Sequence, residues 1–164
     1  MIIHLAADHG GFELKEQMKE WLIEHSYEVV DHGAYKFDLD DDYPDFILPA
    51  ARAVADDENS LGIIFGGSGE GEAIAANRIK GVRAALFYGP ALPIMAVDAE
   101  GRESIDLLEI LKLTRQHNHA NILSIGVRFV GFEDAIKAFQ VWMNEPVGTA
   151  PRHKKRIDMI DYLS

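Results

Sequence analysis

Apolar positions along this chain alternate between short continuous runs and stripes with helical spacing. Ile2 to Ala7 is a mostly apolar run that ends at Asp8-His9-Gly10-Gly11. Leu14, Met18, Trp21 and Leu22 then fall at i, i+4, i+7 and i+8, the stripe of an amphipathic helix. Tyr27 to Asp31 predicts a second strand, and the acidic loop Asp38 to Asp42 leads through Tyr43-Pro44 into a helix that runs to about Ala55. Leu61 to Phe65, Val82 to Phe87 and Asn121 to Ile125 predict strands three, four and five. Strands that alternate with helices call for parallel crossovers and a sheet covered on both faces, with ligands bound outside the carboxyl ends of the strands. Asp8, His9, Ser68 and Glu72 then fall on one rim.

Two segments break the alternation. Gly89 to Glu103 carries two prolines, a glycine and several acids, and reads as a loop or insertion before a helix from Ile105 to Gln116. Arg152-His153-Lys154-Lys155-Arg156, followed by Ile157, Ile160 and Leu163, is a basic entry to an amphipathic helix. Such a cluster fits a solvated face and equally a helix packed on a second subunit.

The 164 residues make one ordinary domain. A formal net charge of −11 argues against a general nucleic-acid or anionic-membrane surface, so a bound anion has to meet a local basic patch. No stretch is long and apolar enough to span a bilayer, and the first residues run into a strand pattern without a leader signal, which predicts a cytoplasmic protein. The absence of cysteine excludes disulfides, thiolate metal sites and a cysteine nucleophile.

Candidate chemistry concentrates in Leu61-Gly62-Ile63-Ile64-Phe65-Gly66-Gly67-Ser68-Gly69-Glu70-Gly71-Glu72 and the alanine-rich run after it. A buried strand, a glycine turn and a helix put Glu72 in the first helical turn, beside a hollow lined by backbone N–H groups that suits an anion or a developing oxyanion. The same spacing also fits a plain strand-to-helix turn with Glu72 as a dipole partner.

Several fragments together resemble the ribose-5-phosphate isomerase B family, which includes the galactose-6-phosphate and allose-6-phosphate isomerases. They are Ala7-Asp8-His9-Gly10-Gly11 with Lys15, Asp42-Tyr43-Pro44, Gly67-Ser68-Gly69-Glu70-Gly71 with Ala75-Ala76-Asn77, Gly81-Val82-Arg83-Ala84, Arg115-Gln116-His117-Asn118, Gly126-Val127-Arg128, and Arg152-His153-Lys154-Lys155-Arg156. They occur in family order over almost the whole chain. The resemblance implies a Rossmann-like three-layer α/β/α sandwich on a five-stranded parallel sheet, and a homodimer with sites shared between subunits; whether two such dimers pair into a tetramer is left open by the sequence. Many members use a cysteine just before the glycine loop as base, where this chain has Gly66. Another branch carries a glutamate after the loop, which Glu72 matches. The segment from Tyr88 to Leu113 looks longer than its family counterpart and leaves the pocket wall, and hence sugar preference, open.

By that resemblance Glu72 is the base that takes the C2 proton of an aldose phosphate and returns it to C1, a task suited to a carboxylate shielded from water. Backbone N–H groups of Gly67 to Gly71, with the Ser68 hydroxyl, hold the enediolate oxygen. His117 is the ring-opening group, Asn118 holds sugar or enediolate oxygens, Asp8 and His9 contact sugar hydroxyls, and Tyr43 is a pocket wall or simply a helix entrance. Arg128, Arg152 and Arg156 bind the phosphate, with His153 beside them, and the C-terminal arginines reach the neighbouring subunit's site. No metal or cofactor is called for. Ribose 5-phosphate and ribulose 5-phosphate are the expected pair. Other aldose phosphates, or a non-catalytic phospholigand-binding module, are the alternatives.

Overall fold

The computed structural model describes residues 1–163, the side chain of Leu163 excepted. In chain order the elements are β1 (Ile2–Ala7), α1 (Phe12–Glu24), β2 (Glu28–Asp31), α2 (Pro44–Asp56), β3 (Ser60–Gly66), α3 (Glu70–Ala76), β4 (Ala84–Phe87), α4 (Glu109–Asn118), β5 (Ile122–Gly126), α5 (Phe132–Asn144) and α6 (Pro151–Leu163). The five strands form one parallel sheet in the order β2-β1-β3-β5-β4. The α/β fold expected from the alternation is the one observed.

Strand side chains alternate between the two faces, and each face meets its own helices. Ile3, Leu5, Ala7, Leu61, Ile63, Phe65, Leu123 and Ile125 pack with Leu14 and Met18 of α1, Leu111 of α4, and Phe139 and Trp142 of α5. Ala6, Ile64 and Ile122 face the other way, onto Ile47, Ala50 and Val54 of α2 and Ala76 of α3. Helix α6 packs outside α4. The chain leaves β1 toward β2 on one side and returns to β3 on the other, so the carboxyl ends of β1 and β3 flank a switch point, where open α/β sheets form a crevice.

Structure and sequence reading part at three places. The helix expected from Ile105 starts at Glu109, because Ser104 and Asp106 side chains accept the N–H groups of Asp106 (3.2 Å) and Leu108 (2.8 Å) and hold a turn instead. Helix α5 has no counterpart among the elements expected from the sequence, although Ala135, Ala138, Phe139 and Trp142 carry a helical apolar spacing and are all buried. In α6, Ile157 is only 7% exposed, so it is buried within its own chain and is not held open for a partner. Ile160 and Met159 are exposed, and the Leu163 side chain lies outside the described residues.

Candidate active site

Strand β3 delivers the glycine turn to the crevice. Gly69 caps α3 with φ +75°, a left-handed conformation, and a Cβ there would press on Leu86 and on the backbone of Ile125 and Gly126. Glu72 lies in the first turn of α3, and its side chain turns back under the end of β3. A Cβ at Gly66 would fall on the Glu72 carboxyl group, so the two positions compete for one volume. Glu72 is 4% exposed. Burial pushes its pKa up and the charge of Asp8 adds to that, against its own backbone N–H and the charge of Arg128.

The loop after β1 closes the other side. Gly10 donates its N–H to Asp8 Oδ1 at 2.9 Å, and a Cβ at this position would crowd the backbone of Gly67. Arg128, just beyond β5, lays its guanidinium over Gly67, and its backbone N–H donates to the Gly67 carbonyl at 3.1 Å. The Tyr43 phenol leans on Gly71 while its backbone caps α2, which places this residue at the helix entrance beside the glycine turn. The Ser68 hydroxyl accepts the Glu70 N–H at 3.3 Å. His9 is fixed by an acid not singled out from the sequence: Asp41 Oδ1 accepts both the His9 backbone N–H (3.0 Å) and its Nδ1 (2.6 Å). The Asp41 hydrogen bond raises the His9 pKa, with Asp8 adding to it. Asp8, His9, Tyr43, the glycine turn, Glu72 and Arg128 thus share one rim.

The remaining candidates form a second group elsewhere. Helix α4 runs back against the strands, so His117 and Asn118 at its end lie where β5 begins. Arg115, two residues earlier than His117, lines a hollow with Met1, Glu58 and Ser60, at the amino ends of β1 and β3. The five residues of β5 span about 16 Å, which separates this end from the glycine turn. Here the His117 and His153 rings stack at 4.2 Å with 11° between planes. Burial first, then His117, Arg152 and Arg156, lowers the His153 pKa. Arg152 donates from Nε to His153 Nε2 at 3.2 Å.

Lys15, part of a quoted motif, is not at the rim. It is fully buried, and its ammonium donates to Asp31 at 2.8 and 2.9 Å, tying α1 to β2. Among the described residues one group, Asp8, His9 and Asp41, brings potential metal-ligating atoms within 4.8 Å of one another. The short His9–Asp41 hydrogen bond already occupies two of its three members. No helix among the described residues is long and apolar enough to cross a membrane.

The chain is similar to known proteins over nearly its full length. The family described as Ribose/Galactose Isomerase matches residues 3–100 and 107–160. Ribose-5-phosphate isomerase B of Mycolicibacterium paratuberculosis is 38% identical over 160 residues, covering 98% of this chain and 89% of the relative. The Bacillus subtilis putative sugar phosphate isomerase YwlF is 34% identical over 99% of this chain and 97% of its own. The structure of Mycoplasma genitalium ribose-5-phosphate isomerase B with bound ribulose-5-phosphate superposes with a TM-score of 0.83 at 34% identity, covering 99% of this chain and 95% of that one. The Clostridium thermocellum ribose-5-phosphate isomerase B also gives 0.83, at 33% identity, over 99% and 97% of the two chains. By this match of sequence and fold the chain belongs to the ribose/galactose isomerase family, and is an aldose-ketose sugar-phosphate isomerase.

Proposed function

We propose that this isomerase interconverts ribose 5-phosphate and ribulose 5-phosphate, with Glu72 as the base. The observation that carries the assignment is the Glu72 carboxyl group, buried at the head of the glycine turn in the volume that a side chain at position 66 would need. Removing the C2 proton requires a basic oxygen beside the substrate carbon, and the same carboxylic acid then gives that proton to C1. The electron pair of the broken C–H bond forms the C1=C2 bond as the carbonyl pair moves onto the C1 oxygen. The enediolate oxygen is held by the N–H groups of Gly67 to Gly71 and the Ser68 hydroxyl, and the proton of the C2 hydroxyl passes to the C1 oxygen as the C2 carbonyl forms. Burial suits the base, because a raised pKa brings the proton affinities of acid and carbon closer. Asp8 and His9 meet sugar hydroxyls and Arg128 the phosphate. These steps need no metal or cofactor.

Ring opening falls to His117, with Asn118 on the sugar oxygens and Arg152, His153 and Arg156 on the phosphate. Since one chain holds this group at the other end of its sheet, the reading requires a second copy whose α4 and α6 lie against the first copy's rim. The whole chain acts as one catalytic domain, with an insertion around 88–113 and α6 as the exchanged element. The family match is itself interrupted between residues 100 and 107, within that segment. A cytoplasmic setting fits a phosphorylated substrate that does not cross a bilayer unaided.

The test is an isomerase assay of the purified protein on ribose 5-phosphate beside galactose 6-phosphate, allose 6-phosphate and a tetrose phosphate. A kcat/KM highest for ribose 5-phosphate is expected. A preference for another sugar would move the assignment to that sugar. Turnover of none would favour the non-catalytic phospholigand module.

A further inference from the structure

The segment between β4 and α4 sends one side chain to the proposed phosphate ligands. Glu100 accepts from both terminal nitrogens of Arg152, Nη1 to Oε1 at 2.7 Å and Nη2 to Oε2 at 3.0 Å. With Nε donating to His153, all three nitrogens of this guanidinium have acceptors. We infer that Glu100 is a built-in counter-ion for Arg152, which a substrate phosphate must displace, so that the insertion sets the affinity for phosphorylated ligands. The inference rests on the reading of Arg152 as a phosphate donor.

The acid is held in place by its own turn. Asp98 accepts the N–H groups of Glu100 (3.1 Å) and Arg102 (2.9 Å) and the Arg102 Nε (3.2 Å), while the Val97 N–H donates to the Arg102 carbonyl at 2.8 Å. Arg102 then bolts the turn to α4 by donating to Glu109 at 2.7 Å, where Ser104 donates as well, at 2.8 Å. Glu109 is buried, and its helix is the one that ends at His117. A chain of charges therefore runs from α4 through the insertion to α6. The Glu100 and Arg152 side chains are 67% and 38% exposed, so their pairing is screened by water and yields readily. A phosphate with nearly two charges and three acceptor oxygens is the stronger partner for a guanidinium fork.

The measurement is steady-state kinetics with ribose 5-phosphate at fixed ionic strength, together with competitive inhibition by inorganic phosphate. Glu100→Gln is expected to lower both the KM and the inhibition constant by about two- to fivefold, the span of an exposed ion pair, with kcat essentially unmoved. Glu103→Gln, which removes an exposed acid three residues on, is expected to change neither. An equal drop in that variant would mean the general field is responsible and would overturn the proposal. Arg152→Ala is expected to raise both constants by about tenfold or more, as for a lost charged hydrogen bond, and to abolish the effect of adding Glu100→Gln. If Arg152→Ala raises them but Glu100→Gln lowers neither, the counter-ion role alone is wrong. If Arg152→Ala changes neither constant, Arg152 is not a phosphate ligand and both readings fall.

Discussion

Glu72 and Gly66 are one choice made at two positions, since a side chain at 66 would occupy the space of the Glu72 carboxyl group. Removing only its basicity, by Glu72→Gln, is expected to cut kcat by at least about 10²-fold while inhibition by inorganic phosphate persists. Wild-type-like turnover in this variant would remove Glu72 from the mechanism. Because burial raises its pKa and the active form is the carboxylate, kcat/KM should fall with acidification through a pKa above that of an ordinary glutamate. The same shift has a sign for stability. The native state holds this proton more tightly than the unfolded chain, so the contribution is full below the unfolded pKa and is lost as pH rises through the native one. Glu72→Gln should therefore melt higher than the wild type at neutral pH, and the two should converge below the ordinary glutamate pKa of about 4.3. His9 gives a second check. Its raised pKa comes first from Asp41, so Asp41→Asn should lower the midpoint of the His9 ring protons in an NMR titration. An unmoved midpoint would mean the pair is not formed in solution.

At the scale of elements, the pattern of apolar positions shows β1, α1, β3 and the glycine turn plainly, because continuous runs and a 3.6-residue stripe are both local signals. The role of Asp41 is hidden in the sequence for the opposite reason: it meets His9 across 32 residues, and within its own loop it is one acid among several. Lys15 likewise fits an exposed helix position until Asp31, 16 residues on, draws it inward. Apolar Ile105 and Leu107 make the sequence suggest an earlier start for α4, yet they are 91% and 51% exposed and lie in a side-chain-capped turn. That turn depends on Arg102, which is the partner of buried Glu109. Arg102→Ala should lower the melting temperature and speed amide hydrogen exchange across residues 97–104, with little change in β1 or β3. Uniform exchange behaviour in the two proteins would mean the insertion is held by its apolar contacts alone.

At the scale of the molecule, a chain of charge −11 has to gather cations wherever it binds a phosphate. It keeps Arg128 with Glu72 at the carboxyl ends of the strands, and keeps Arg152, Arg156, His153 and His117 with α4 and α6. Under the proposed roles neither group is a complete isomerase site: one would supply the base and the anion hollow, the other the ring-opening histidine and the larger share of positive charge. The sequence resemblance implies shared sites, with the C-terminal arginines crossing to the neighbour. That His117 and Asn118 travel with them follows from the direction of α4, which periodicity alone does not convey. Two-fold pairing would bring each rim to the other copy's second group. The direct measurement is the activity of a purified heterodimer that combines a Glu72→Gln subunit with a subunit carrying both His117→Ala and Arg156→Ala. Each variant is expected to be inactive as a homodimer, while the heterodimer recovers about half the wild-type activity, because one of its two sites is then fully wild type. A verified heterodimer as inactive as its parents would mean that each chain completes its own site.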